Sequence, residues 1–181
     1  MSGLNCRFCG TALSHVFADL GASPLSNSYL KEDDLNGMEA FFPLKVYVCS
    51  HCHLVQLPEY ETPENIFSDY AYFSSYSDAF VAHAKSYVHM MTDRFKYNGH
   101  SFVVEIASND GYLLQFFKEQ GIRVQGVEPA ANVAEVAEEK GIPTLTKFFG
   151  VETASELANS EKADLVLGNN VLAHVPDIND F

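Results

Sequence analysis

In the second half of the chain, short apolar runs are separated by amphipathic stretches. Phe102 to Ile106 is one such run, and a polar turn, Ser108-Asn109-Asp110-Gly111, parts it from Tyr112 to Gln120, which reads as helix. The alternation then repeats. A strand at Val124 to Val127 precedes a helix from about Asn132 to Lys140. A short strand near Pro143 to Leu145 precedes a helix from about Val151 to Ala158, and a last strand covers Ala163 to Leu167. Strand and helix in regular succession predict a parallel sheet in an α/β sandwich. These strands make up half of a usual doubly wound sheet, so the chain is expected to be a fragment of a longer protein.

Upstream, Phe80, Ala84, Val88, Met91 and Phe95 recur at three-to-four spacing behind Ser77. The spacing predicts a capped amphipathic helix that ends at Asn98-Gly99 and packs on the sheet. Between Pro58 and Ser77, aromatic residues and turn formers crowd together, which reads as an irregular connection with a binding role. Residues 1–57 hold only two β-like stretches, at 41–49 and 54–57, and a module so small has little core of its own. The expected divisions are therefore 1–57, a small β module; 58–98, an aromatic-rich connection and helix; and 99–181, the α/β part.

Composition narrows the partners. The 181 residues carry a net charge of −13 with only 11 Lys and Arg, and these are scattered, so a nucleic-acid partner that needs phosphate neutralisation is disfavoured. Neither a signal peptide nor an apolar membrane span is legible, and a cytoplasmic protein with no membrane partner is expected. The cysteines stand in two C-x-x-C pairs, Cys6 with Cys9 and Cys49 with Cys52. In a reducing compartment this favours metal over disulfide, and four convergent thiolates suit tetrahedral Zn2+. His15, His51 and His53 are read as surface or packing residues.

The turn after Ile106 occupies the place of a phosphate-binding glycine loop, yet it reads Ala107, Ser108, Asn109, Asp110, Gly111. Most of the glycines are gone and an extra acid has appeared. A carboxylate repels two phosphates but attracts an ammonium or a sulfonium, so the loop fits a cationic cofactor better than a dinucleotide. Glu128, at the end of the next strand, can accept hydrogen bonds from both ribose hydroxyls of an adenosine. Asn169, Asn170 and His174 follow the last strand, where such sheets carry ligands.

With these residues in place, the chain resembles class I S-adenosylmethionine-dependent methyltransferases and, more narrowly, the NDP-sugar C-methyltransferase family. The matching segments are "CRFC", "CSHC", "DLGASPLSNSYL", "YAYFSSYSDAF", "VEIASNDGYLL", "GVEP" and "NNVLAHVPD". The resemblance implies an N-terminal zinc-binding module, a Rossmann-like methyltransferase sandwich of which the first four strands are present, and a further C-terminal domain. Against the general pattern of an acid followed by three alternating glycines, Glu105 and Gly111 are kept while Ala107 and Asn109 depart.

The resemblance also implies roles. Glu105, Ala107, Ser108, Asn109, Asp110 and Gly111 would wrap the methionine part of S-adenosylmethionine, with Tyr70, Leu113 and Pro129 completing the cofactor set. Glu128 would hold the ribose, and Asn169 and Asn170 would line the floor below the sulfonium. Tyr76 and His174 would face a small-molecule nucleotide sugar as candidate catalytic groups, in a protein expected to be a monomer. The implied reaction removes a proton beside the keto group of a 4-keto-6-deoxy nucleotide sugar, and the enolate takes the methyl. The family's main base candidate would lie beyond Phe181. Alternatives are an RNA methyltransferase with a zinc module, a non-catalytic zinc-stabilised interaction module, and an NAD-dependent oxidoreductase, which the absent glycine fingerprint disfavours.

Overall fold

A computed structural model describes residues 4–67 and 70–181 of the chain. Two compact units result. Met1–Ile66 and Val175–Asp180 form one, and Phe67–His174 with Phe181 the other. Among the described residues, no helix is long and apolar enough to cross a membrane.

The first unit is built on a three-stranded antiparallel sheet of β1 (His15–Ser23), β2 (Phe42–Val48) and β3 (Val55–Gln56), in that order. Strands β2 and β3 fall within the two β-like stretches of the sequence. Strand β1 was not foreseen, for a physical reason. Its register against β2 shifts twice, between Val16 and Ala18 and between Asp19 and Ala22, and most of its residues are exposed, so no two-residue alternation marks it.

A short helix, α1 (Pro63–Phe67), lies where the chain passes from the first unit to the second, and α2 (Asp78–Phe95) follows in the second. Ser77 caps α2, its hydroxyl accepting the Phe80 N–H at 3.3 Å. The helix stops earlier than Asn98-Gly99, because Lys96 takes the left-handed conformation at φ +60°. Ala84 and Val88 are buried, but Phe95 is exposed, its ring 5.9 Å from that of Tyr97 and 5.4 Å from the Arg94 guanidinium. The apolar stripe of α2 therefore ends one turn before the sequence pattern does.

The strand–helix succession continues as β4 (Phe102–Ile106), α3 (Leu114–Glu119), β5 (Arg123–Val127), α4 (Ala131–Glu139), β6 (Thr144–Leu145), α5 (Val151–Ser160) and β7 (Leu165–Gly168). All pairings are parallel, in the order β6-β5-β4-β7, so the expected α/β sheet is present with its first strand inside. Val103, Val104, Glu105 and Ile106 are all buried, as an inner parallel strand requires. Chain order reverses about β4, and the carboxyl ends of β4, β5 and β7 open together at that switch point.

Val103, Val124 and Leu167 pack with Leu114, Phe116 and Phe117 of α3 and with Ala84 and Val88 of α2. Phe117 is fully buried, and cutting such a side chain to alanine costs about 3–5 kcal/mol. Phe80 stacks on Tyr112 with ring centroids 5.0 Å apart, which ties α2 to the loop before α3.

Candidate functional site

The metal-binding candidate is assembled from two tight turns. In the first, Cys6 N–H bonds Thr11 O and Gly10 N–H bonds Cys6 O, with Gly10 at φ +74°. In the second, Cys49 N–H bonds Leu54 O and His53 N–H bonds Cys49 O, with His53 at φ +62°. The turns face each other, placing Cys6 Sγ 3.6 Å from Cys52 Sγ and Cys9 Sγ 3.6 Å from Cys49 Sγ. All four sulfurs lie within 4.8 Å of one another. A disulfide needs about 2.05 Å, whereas four sulfurs about 2.3 Å from one Zn2+ at tetrahedral corners stand about 3.8 Å apart, so the arrangement fits the ion.

Hydrogen bonds support the same reading. Gln56, itself buried, donates from Nε2 to Cys6 Sγ at 3.2 Å, and His51 N–H approaches Cys49 Sγ at 3.4 Å. The backbone N–H groups of Cys52 and His51 hold the Cys49 thiol below its ordinary range, toward the thiolate that a metal binds. Arg7, between the first two cysteines, donates its backbone N–H to Gln56 Oε1 at 2.9 Å and its guanidinium to Val175 O at 2.9 Å. Asn179 Nδ2 donates to Phe8 O at 3.0 Å, so the segment Val175–Asp180 is bound to the first turn.

The second site lies at the carboxyl ends of β4, β5 and β7. The loop leaving β4 places Ala107, Asn109 and Gly111 at φ +53°, +50° and +74°. These are the alternate positions at which the general pattern has glycine. The residues have changed, but the left-handed backbone has not. Asparagine tolerates this region, whereas alanine is strained there by about 1–2 kcal/mol. Gly111 could not change, since a Cβ would meet Ile142 Cγ1 at 3.0 Å. Gly126 of β5 is likewise required, because a Cβ there would lie 2.4 Å from Ser108 Oγ.

Carboxylates define the electrostatics. Glu105 is 1% exposed, and its Oε2 has no hydrogen-bond partner. Burial pushes its pKa well up, and the Glu128 and Asp110 carboxyls push it further. Tyr112 is raised above the ordinary phenol range by burial and by Glu105. Glu128 is fixed by two backbone donors, Asn109 N–H to Oε2 and Ala130 N–H to Oε1, both at 2.9 Å. Burial raises its pKa, and those two donors oppose the rise. Asp110 accepts Lys140 Nζ at 3.1 Å, and Ser75 Oγ also donates to it. With Asp110 paired, Glu105 and Glu128 remain as two buried acids, a setting that favours a cation over a pyrophosphate.

The structure thus brings Glu105, Ser108, Asn109, Asp110, Gly111, Glu128 and Asn169 together. Ser108 is buried over Gly126, Leu113 lies in the core, and Pro129 is half-buried beside Glu128. Asn170 is exposed and left-handed at φ +54°. The Phe67 ring lies 5.5 Å from that of Tyr70 and 6.1 Å from that of His174, linking those two. Tyr76 is 78% exposed, with its ring 5.2 Å from that of Phe73.

Sequence reasoning missed Lys140, Ser75, Tyr112 and Asn132, which read only as helix ends or turn formers. Each acts on a residue distant in sequence, so no local spacing marks it.

Comparison with known proteins bears on the cysteine module and on the chain as a whole. Residues 6–67 match a family described as "Putative zinc binding domain". The C-methyltransferase NovU of Streptomyces niveus is 35% identical over 176 residues, covering 97% of this chain, while the chain spans 42% of that protein's length. Among solved structures, the chain is similar to a SAM dependent methyltransferase from Archaeoglobus fulgidus, 21% identical, with a TM-score of 0.41 over 52% of this chain and 41% of that one. YjhP from E. coli is 13% identical, with a TM-score of 0.29 over 57% of this chain and 34% of that one. Residues 6–67 are thus similar to that zinc-binding family, and over nearly its whole length the chain is similar to a C-methyltransferase.

Proposed function

We propose that the protein is an S-adenosylmethionine-dependent C-methyltransferase, stabilised by a structural zinc, that acts on a 4-keto-6-deoxy nucleotide sugar. The observation that carries the reading is the β4 loop: three left-handed residues at the glycine positions, with Glu105 buried and one of its oxygens unpartnered. The likeness to a C-methyltransferase supports it. S-adenosylmethionine supplies an electrophilic methyl on a cationic sulfur.

The protein's own groups do the rest. Glu105 offers its unpartnered oxygen to a cationic ligand, and Glu128, held rigid by two N–H donors, offers its remaining lone pairs to ribose hydroxyls. Asn169, just beyond the end of β7, is assigned to the floor of the site beside Glu105. Tyr76 and His174, both exposed, are the groups assigned to the acceptor. Removal of a proton beside the acceptor's keto group gives an enolate, and its carbon takes the methyl. Cys6, Cys9, Cys49 and Cys52 hold the zinc, which stabilises a unit with little core of its own.

The test is transfer of labelled methyl from S-adenosylmethionine to a 4-keto-6-deoxy nucleotide sugar by the intact protein. Label on the carbon next to the keto group, with loss of one carbon-bound proton to solvent, is the expected result. Cofactor binding without transfer to any keto sugar would overturn the substrate assignment.

A further inference from the structure

Asn109 replaces a glycine of the general pattern, and its side chain is fully engaged. Oδ1 accepts the Ser74 N–H at 2.7 Å, and Nδ2 donates to the Tyr72 carbonyl at 3.1 Å. Asn132, in the first turn of α4, grips Tyr70 in the same manner: Oδ1 accepts its N–H at 3.1 Å and Nδ2 donates to its carbonyl at 2.9 Å. A third tie joins Ser75 Oγ to Asp110, whose carboxylate is also bound by Lys140.

Two side-chain amides therefore read the backbone of residues 70–74 on both its donor and its acceptor groups, as a neighbouring β-strand would. This inverts the usual packing of an aromatic segment, in which rings are buried and backbone is left to water. Here the backbone is bound, while Tyr72 and Tyr76 are 45% and 78% exposed. A segment held by its backbone can present its side chains to a ligand with little ordering cost on binding.

We infer that Asn132 and Asn109 are positioning residues that clamp the segment Tyr70–Tyr76 beside the β4 loop, fixing it as the aromatic wall against which the acceptor binds. This rests on the proposed methyltransferase reading. It explains why the loop departs from glycine at Asn109: the left-handed backbone is kept and an amide is added to it.

The variant Asn132→Ala tests the clamp in the intact protein. Alanine is the better helix former, so α4 is not weakened by propensity. Loss of the two Tyr70 bonds should speed amide hydrogen exchange across Tyr70–Tyr76 about tenfold. The acceptor KM should rise about tenfold while kcat stays within about twofold, a split that a merely structural role would not give. Asn132→Asp keeps the acceptor oxygen and should recover part of both effects. Asn109→Gly, whose backbone suits φ +50°, should likewise speed amide exchange at Ser74, whose N–H it releases.

Unchanged exchange, or an unchanged acceptor KM with faster exchange, would overturn the inference. Should the wild-type protein transfer no methyl to any keto sugar, the functional reading falls, and the exchange measurement alone decides whether the clamp exists.

Discussion

Ala107→Gly should make the protein more stable. Ala107 is held at φ +53°, where the Cβ of an L-residue crowds the following carbonyl and costs about 1–2 kcal/mol. Glycine removes that strain but loses about 0.5–1 kcal/mol more backbone entropy on folding. The net gain is about 0.5–1 kcal/mol. In urea, with m of about 1–3 kcal/mol/M, the unfolding midpoint should move up by roughly 0.2–1 M at unchanged slope. Equilibrium unfolding followed by tyrosine fluorescence measures it, since the chain has 9 Tyr and no Trp. Ala107→Val supplies the opposite sign, because a β-branched residue is a true outlier in this region and should cost over about 2 kcal/mol. A lower midpoint for the glycine variant would refute the claim that the loop holds strain at this position.

Further outcomes follow from the same geometry. Glu105 has an ordinary carboxyl pKa of about 4.3 when unfolded, and burial raises it well above that in the fold. Below the unfolded value it is protonated in both states and costs nothing. As pH rises from the unfolded value toward the raised one, the unfolded chain gives up its proton while the fold keeps it, so stability falls until the raised value is passed. Glu105→Gln should therefore be the more stable protein at neutral pH, flatten the fall of stability above the unfolded carboxyl value of about 4.3, and bind S-adenosylhomocysteine more weakly; a steeper slope would contradict the assignment. Chelation of the metal should abolish hydrogen-exchange protection at Val46 and Tyr47 of β2 and leave Val103 to Ile106 of β4 protected. Equal loss in both sheets would show that zinc stabilises more than the first unit.

The sequence carried some parts of this structure far better than others. Strands β4 and β5 and the helices after them were legible because an inner parallel strand is a continuous apolar run and each helix has a separate 3.6-residue stripe. The cysteine quartet was legible because two C-x-x-C turns need only to face each other. Strand β1 was hidden because its register shifts remove the alternation that would mark it. The end of α2 was misplaced because Lys96, not a glycine, takes the left-handed turn.

The β4 loop is the most instructive case. Its missing glycines suggested a changed loop, whereas the conformation is retained at Ala107 and Asn109 and only the side chains differ. The ties of Asn132 to Tyr70 and of Lys140 to Asp110 join residues 62 and 30 positions apart, which no local pattern can reveal.

The central claim is that the loop beyond Glu105 binds a sulfonium-type methyl donor in a zinc-stabilised chain. Calorimetric titration with S-adenosylhomocysteine, with zinc content determined on the same sample, tests it most directly. The account predicts saturable binding with about one ligand and about one zinc per chain, the stoichiometry of a four-thiolate site. A folded, zinc-loaded protein that gives no binding heat and no competition with S-adenosylmethionine would contradict it.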